Sequence, residues 1–222
     1  LITELFIFIL GTAIGSFLNV LIDRLPKEES INGRSHCDFC GKKIVWYDLI
    51  PVLSFFILGG KTRCCHKKLS WQYPLVETLT GISFLLITNN QIPIIKQFSI
   101  TNLQYPNVWL FNNWTLFVSW LLLLGISSCL FVIFVSDLKY HLISDYIQIS
   151  FFLFSLLFHL IVFNQLPYYL LSGLIVGLPI FLIYFLSKER AMGLGDVFLA
   201  ANIGFLLGWQ VGFLPPSSLE KL

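Results

Sequence analysis

Charge is what this sequence has least of. Only 12% of its 222 residues are charged, and 56% are hydrophobic. Ordinary soluble domains carry about twice that share of charge. With a mean hydropathy of +0.80, this composition excludes a soluble globular enzyme and indicates an integral membrane protein. The chain also lacks an internal repeat and any low-complexity tract. No basic segment precedes the first apolar run. Arg24 follows Leu1 to Ile22 instead of leading it. That order argues against a cleaved signal peptide and for a retained span with its N-terminus outside.

The few cations are unevenly placed. Nine of the fourteen Lys and Arg lie between Arg24 and Lys68. Beside apolar spans, such a cluster reads as the positive-inside signal, not as a nucleic-acid surface. Segments long enough to cross a bilayer fall at about 2–22, 73–95, 115–136, 146–163, 168–187 and 196–214. The stretch Leu49 to Leu58 is apolar but too short to cross. It is expected either at the membrane interface or buried in the loop. Threading these segments puts the basic loop 23–72 in the cytoplasm and the loop 96–114 outside. Asp137, Asp145, Asp196 and the cysteine loop then all reach the cytoplasmic face.

The expected fold is therefore all-α: a polytopic transmembrane helix bundle of about six spans with a small cytoplasmic cysteine-bearing loop domain, in the cell membrane. The divisions are a first transmembrane helix at 1–22, the cysteine loop at 23–72, a membrane core at 73–214 and a polar tail at 215–222. The tail ends abruptly and reads as a truncation or an added sequence.

Among the acidic residues in or beside the spans are Glu4, Glu77, Asp137, Asp145 and Asp196. Ionisable groups in such places are costly and are functional candidates by default. Asp145 and Asp196 stand at the starts of spans, where a carboxylate also suits a helix N-terminus. Asp137 ends a span, where the helix dipole disfavours an anion. Lys139 is a candidate local partner for it, though at poor helix spacing. A paired-carboxylate site supplies a stronger reason. Two nearby carboxyls share one proton; the ionised one takes a proton from water and the protonated one polarises a carbonyl. Asp137 and Asp196 could form that pair, with Gly193 and Gly195 allowing an extended chain to approach. The rival reading is a proton- or cation-coupled transporter using the same two aspartates.

Cys37 and Cys40 form a C-x-x-C pair, and Cys64 and Cys65 follow about 25 residues later. That pattern suggests a structural zinc site in a reducing compartment. The adjacent second pair is poor geometry for a shared tetrahedral ion, and His66 or His36 could serve instead. Free or redox-active thiols remain the alternative, and a non-catalytic zinc-bearing scaffold is a further reading of the loop. Cys129 lies within a span and is expected to be inert packing. His159, also mid-span, is expected to be a satisfied or interface histidine, not a ligand.

Four segments taken together resemble the prepilin peptidase family, the type IV leader peptidases with a G-x-G-D motif, including the competence-type enzymes of Gram-positive bacteria. They are GSFLNVLIDRLP (15–26), CDFCGKKIVWYDLIPVLSFFILGG (37–60) with LSWQYPLVETLTG (69–81), DLKYHLISD (137–145) and GLGD (193–196). The resemblance implies a membrane aspartic endopeptidase with Asp137 and Asp196 as catalytic pair and Gly193, Gly195 and Asp145 in support. It implies substrates that are type IV prepilins or pseudopilins, cut on the cytoplasmic side after a short basic leader. It further implies N-methylation of the new N-terminus with S-adenosyl-L-methionine, an activity associated with the N-terminal and loop part. Peptide hydrolysis itself needs no cofactor. Glu28, Glu29, Asp38 and Asp48 are candidate contacts for the basic leader. Ser144 stands where the family has Pro, and Thr62 where it has the first cysteine of a second C-x-x-C. The family continues with one or two further spans beyond Gly212.

Overall fold

The computed structural model describes residues 2–37, 39–101, 106–162, 166–187 and 192–208, with side chains described except at 90–101 and 106–113. The polar turns at Asn164 and at Lys188 to Arg190, Asp38 and the tail 215–222 lie outside the described residues. Nearly everything described is helix: α1 (Ile2–Arg24), a five-residue α2 (Leu53–Ile57), α3 (Gln72–Thr101), α4 (Pro106–Tyr140), α5 (Asp145–Val162), α6 (Leu166–Ser187) and α7 (Leu194–Leu207). Among the described residues, four segments are long and apolar enough to cross a membrane, against about six expected: Ile2–Lys27, Trp114–Tyr140, Asp145–Val162 and Leu166–Ser187.

Each expected span overlaps a helix, although α7 ends at Leu207 and residues 209–214 of the last expected span lie outside the described residues. The loop expected over 96–114 is much shorter, because helix persists to Thr101 and resumes at Pro106. Proline at a first helical position costs nothing, since its missing N–H would have no intrahelical partner there. The polar residues on either side continue the helices; apolar patterning marks where a span leaves lipid, not where its helix stops.

The chain divides into two compact units, Leu1–Ile147 and Gln148–Leu222. In the first, α1 packs on α3 through glycines. A Cβ on Gly11 would lie 2.8 Å from the Cα of Gly81, and one on Gly15 only 2.7 Å from the Cα of Glu77. Bilayer interiors give little hydrophobic drive between helices, so close backbone approach does the holding. Polar groups lock the register: Asn19 Nδ2 donates to the Tyr73 carbonyl at 3.2 Å, and Trp120 Nε1 ties α4 to Thr88 of α3 at 2.9 Å. Gly15→Ala must push α1 off α3, since backbone lies in the way. Overpacking of this kind costs about 1–3 kcal/mol, so the variant is expected to lose several degrees in a thermal-aggregation assay in detergent.

In the second unit, α7 lies against α6. Gly204 faces Val176, and Ser172 Oγ donates to the Gly204 carbonyl at 2.7 Å. His159 is fully buried. Its Nδ1 meets the Ser155 carbonyl at 2.7 Å, and its ring packs 3.8 Å from Tyr169 and 5.0 Å from Phe205. It is an interior residue held by packing and a backbone contact, and Cys129 is buried, as expected of inert packing.

Candidate active site and thiol cluster

Two short hairpins build the cysteine loop. In the first, Gly41 N–H donates to the Cys37 carbonyl at 2.8 Å and Cys37 N–H to the Lys42 carbonyl at 2.9 Å. In the second, His66 N–H donates to the Thr62 carbonyl and Thr62 N–H to the Lys67 carbonyl, both at 2.9 Å. Gly41 and His66 occupy matching places with φ of +69° and +54°. The sequence shows no repeat, yet the backbone repeats here. Thr62 takes the place of Cys37, and Cys65 that of Cys40.

The second hairpin thus lacks its first thiol, and Cys64 supplies one from the neighbouring position. The four sulfurs of Cys37, Cys40, Cys64 and Cys65 all lie within 4.8 Å of one another. Cys37 and Cys65 are 3.8 Å apart, Cys64 and Cys65 3.9 Å, and Cys40 and Cys64 3.2 Å. Ligand sulfurs about 2.3 Å from a tetrahedral zinc stand about 3.8 Å from each other. The adjacent pair is therefore no obstacle, contrary to the expectation from spacing. A turn that reverses the chain at Cys64 and Cys65 lets neighbouring side chains converge. His36 and His66 are not part of the group. The Thr62 hydroxyl lies 3.1 Å from Cys65 Sγ, and this hydrogen bond pulls the Cys65 thiol down to about 7. Contact with Cys40 pushes the Cys64 thiol up to about 12.

Asp137 is exposed in the last turn of α4, and the helix closes behind it as His141 N–H donates to the Asp137 carbonyl at 2.9 Å. Lys139 does not pair with Asp137. It forms an ion pair with Asp23 at the end of α1. Tyr73 OH and Tyr140 OH also donate to Asp23, at 2.8 and 3.2 Å. Helix spacing explains the correction: two residues along, Lys139 leaves α4 in a different direction from Asp137 and meets α1 instead. Asp23 thereby fixes the end of α4 that carries Asp137. Asp145 is the first residue of α5.

In the second unit, Gly193 is the N-cap of α7 and Asp196 is the third helical residue. Asp196 Oδ2 accepts the Gly193 N–H at 3.1 Å, and Asp196 N–H donates to the Gly193 carbonyl at 3.2 Å. The motif is thus a closed turn that presents a half-buried carboxylate. A Cβ on Gly193 would meet nothing nearer than 3.8 Å, and its φ of −82° is ordinary. The fold itself does not demand glycine there.

One residue of this site was missed in the sequence. Gln148 on α5 is 4% exposed. Its Nε2 donates to the Gly195 carbonyl at 2.9 Å, and Asn202 Nδ2 of α7 donates to the backbone carbonyl of Gln148 at 3.4 Å. The amide pins the residue before Asp196. The available signal was a glutamine inside an apolar span, where an amide is costly unless hydrogen-bonded. Gln148→Leu is expected to lower the turnover of whatever reaction Asp196 serves by about threefold to tenfold, matching the roughly 0.5–1.5 kcal/mol of one net hydrogen bond.

Helical spans, a thiol loop and carboxylates at helix ends define a helical membrane protein with an acidic site. Comparison with known proteins narrows the class. Residues 9–91 match the Bacterial Peptidase A24 N-terminal domain and residues 123–215 the Type IV leader peptidase family. A prepilin leader peptidase/N-methyltransferase of Klebsiella pneumoniae is 34% identical, covering 92% of this chain and 85% of its own length. That of Vibrio cholerae serotype O1 is 32% identical over 93% and 78%. That of Bacillus subtilis is 30% identical over 91% and 73%. No solved structure matches. The chain belongs to the type IV leader peptidase family.

Proposed function

We propose that this protein is a membrane aspartic endopeptidase that removes the short basic leader from type IV prepilins or pseudopilins and N-methylates the new N-terminus. The carrying observation is family membership along the whole described core, with both aspartate motifs inside the matched segment 123–215. The relatives are named for both activities. Nothing in the fold favours the transporter reading.

Asp137 and Asp196 act as the catalytic pair. With one proton between them, the ionised carboxylate draws a proton from water and the protonated one donates to the scissile carbonyl. The resulting tetrahedral species collapses as a proton passes to the leaving amine. Gly193 leaves room beside Asp196 for an extended backbone, Gly195 carries the carbonyl that Gln148 holds, and Asp145 adds negative charge at the start of α5. Both aspartates face the cytoplasm in a multi-pass plasma-membrane protein. A prepilin's apolar helix would lie in the lipid bilayer and its basic leader outside it, so the scissile bond would meet the site at the boundary.

Cys37, Cys40, Cys64 and Cys65 would hold a zinc ion. A four-thiolate set saturates zinc and leaves no open position, so its contribution is structural. S-adenosyl-L-methionine would supply the methyl group. The test is co-expression with a pseudopilin precursor in membranes, reading leader loss by gel mobility and methylation by mass. An unprocessed precursor beside correctly inserted protein would overturn the peptidase reading.

A further inference from the structure

The segment from Trp46 to Ile57 contains neither the clustered cysteines nor the two aspartate motifs. Trp46 and Leu49 stand in a short 3-10 turn, Ile50 just after it, and Leu53, Phe56 and Ile57 in α2, and all six side chains are exposed. Trp46 and Ile57 are each 77% exposed. The opposite face is held by the protein. Phe55 is buried with its ring 5.0 Å from that of Trp71, and Val52 N–H donates to Glu77 Oε2 at 2.7 Å. A water-facing surface rarely carries so large an apolar stripe without a partner.

The depth of the stripe tells what covers it. Glu77 belongs to the second turn of α3, and Gly15 of α1 packs on its Cα. Gly15 lies well inside Ile2–Lys27, a segment apolar and long enough to cross a membrane. The bond from Val52 therefore holds the start of α2 below the polar end of α1 that Arg24 marks. A side chain tilted toward the helix start reaches back by part of a turn, which leaves α2 near the lipid boundary and not out in water. Charge agrees. Lys42, Lys43, Lys61, Lys67 and Lys68 flank the stripe and are exposed, while Arg63 is paired with Asp48 at 2.8 Å.

We propose that Trp46 to Ile57 is an interfacial segment that lies in the bilayer surface, its apolar stripe at the acyl boundary and the surrounding lysines on anionic headgroups. Interfacial helices of this composition sink about 5–10 Å into that boundary, and each lysine near an anionic surface adds attraction. The hairpin carrying Cys64 and Cys65 follows directly, tied back by Leu69 N–H to the Gly60 carbonyl at 2.8 Å. The thiol cluster is thereby anchored to the membrane surface. The inference stands apart from the peptidase reading and needs no substrate.

The test uses the full chain, one copy per lipid nanodisc. The difference in fluorescence between parent and Trp46→Phe isolates Trp46. Lipids brominated near the top of the acyl chain are expected to quench that difference signal at least twofold. Iodide in the water is expected to quench it at least fivefold less than a free indole. Quenching by the brominated lipid should be greater in discs with one-third phosphatidylglycerol than in phosphatidylcholine alone. Free access to iodide without lipid quenching would overturn the proposal. So would protection that appears only in discs holding two copies, which would assign the stripe to a second chain. Equal lipid quenching in both compositions would overturn the anionic-headgroup part. Leu53→Asp with Ile57→Asp should release Trp46 to iodide, and the parent measurement stands even if that variant fails to fold.

Discussion

Asp137→Asn and Asp196→Asn are each expected to abolish leader removal while the protein still inserts and accumulates. General acid–base groups contribute about 10²–10⁴ in rate, and two carboxyls sharing one proton work only as a pair. Either amide should therefore cost nearly as much as both together, because effects of residues acting as a unit are not additive. Both substitutions are isosteric. In Asp196→Asn the side-chain amide keeps an oxygen to accept the Gly193 N–H that Asp196 now takes at 3.1 Å, so the α7 turn survives. Asp137 is exposed in the last turn of α4, and its loss removes no packing. Asp145→Asn should behave differently. At the first position of α5 it can be replaced with loss of only the helix-dipole contribution, about 0.3–1 kcal/mol. Precursor and product resolved on a gel, at matched protein levels, decide the matter. Cleavage that survives either change at Asp137 or Asp196 would remove the paired-carboxylate mechanism.

The helices were legible because spans announce themselves by length and apolarity. The positions of Asp137 and Asp196 at helix ends followed from the same reading. Less local features were hidden. Nothing near Lys139 in sequence points to Asp23, because their pairing depends on α1 and α4 meeting side by side. Asp23 itself sits where a span merely ends, and its sequence position alone gives no sign of a partner. Gln148 could have been found, since an amide within a span needs a partner, though which carbonyl it serves depends on how α5 and α7 pack. The stretch Leu49 to Leu58 was ambiguous between interface and core. The fold divides the stretch: Phe55 is buried, Phe56 is exposed, and Val52 N–H is held by Glu77, none of which is legible in the sequence.

The thiol loop gives the second large effect, because the reading by spacing and the fold part company there. Aligned by motif, Thr62 occupies a cysteine's place, which argues against four thiolates. Aligned in space, Cys64 stands close enough to fill that place. Cys64→Ser is therefore expected to lose zinc as completely as Cys37→Ser, from about one ion per chain to below about 0.1. Adding Thr62→Cys to Cys64→Ser should restore it by returning the thiol to the regular hairpin position. Structural zinc in small finger peptides binds with about 10–16 kcal/mol, far more than a loop of this size gains from its own packing. Loss of metal should thus expose the loop around Arg34 and Lys61 to trypsin while the helices remain protected. Zinc content of the purified protein, read with limited proteolysis, checks both. The pH dependence has a definite sign. Zinc needs thiolates, so affinity falls as pH falls. With Cys65 lowered to about 7 in the metal-free loop, log affinity should steepen by about one proton per pH unit once pH drops below that value. Retention of a full zinc ion in Cys64→Ser would mean that Cys64 is no ligand and that another group completes the set.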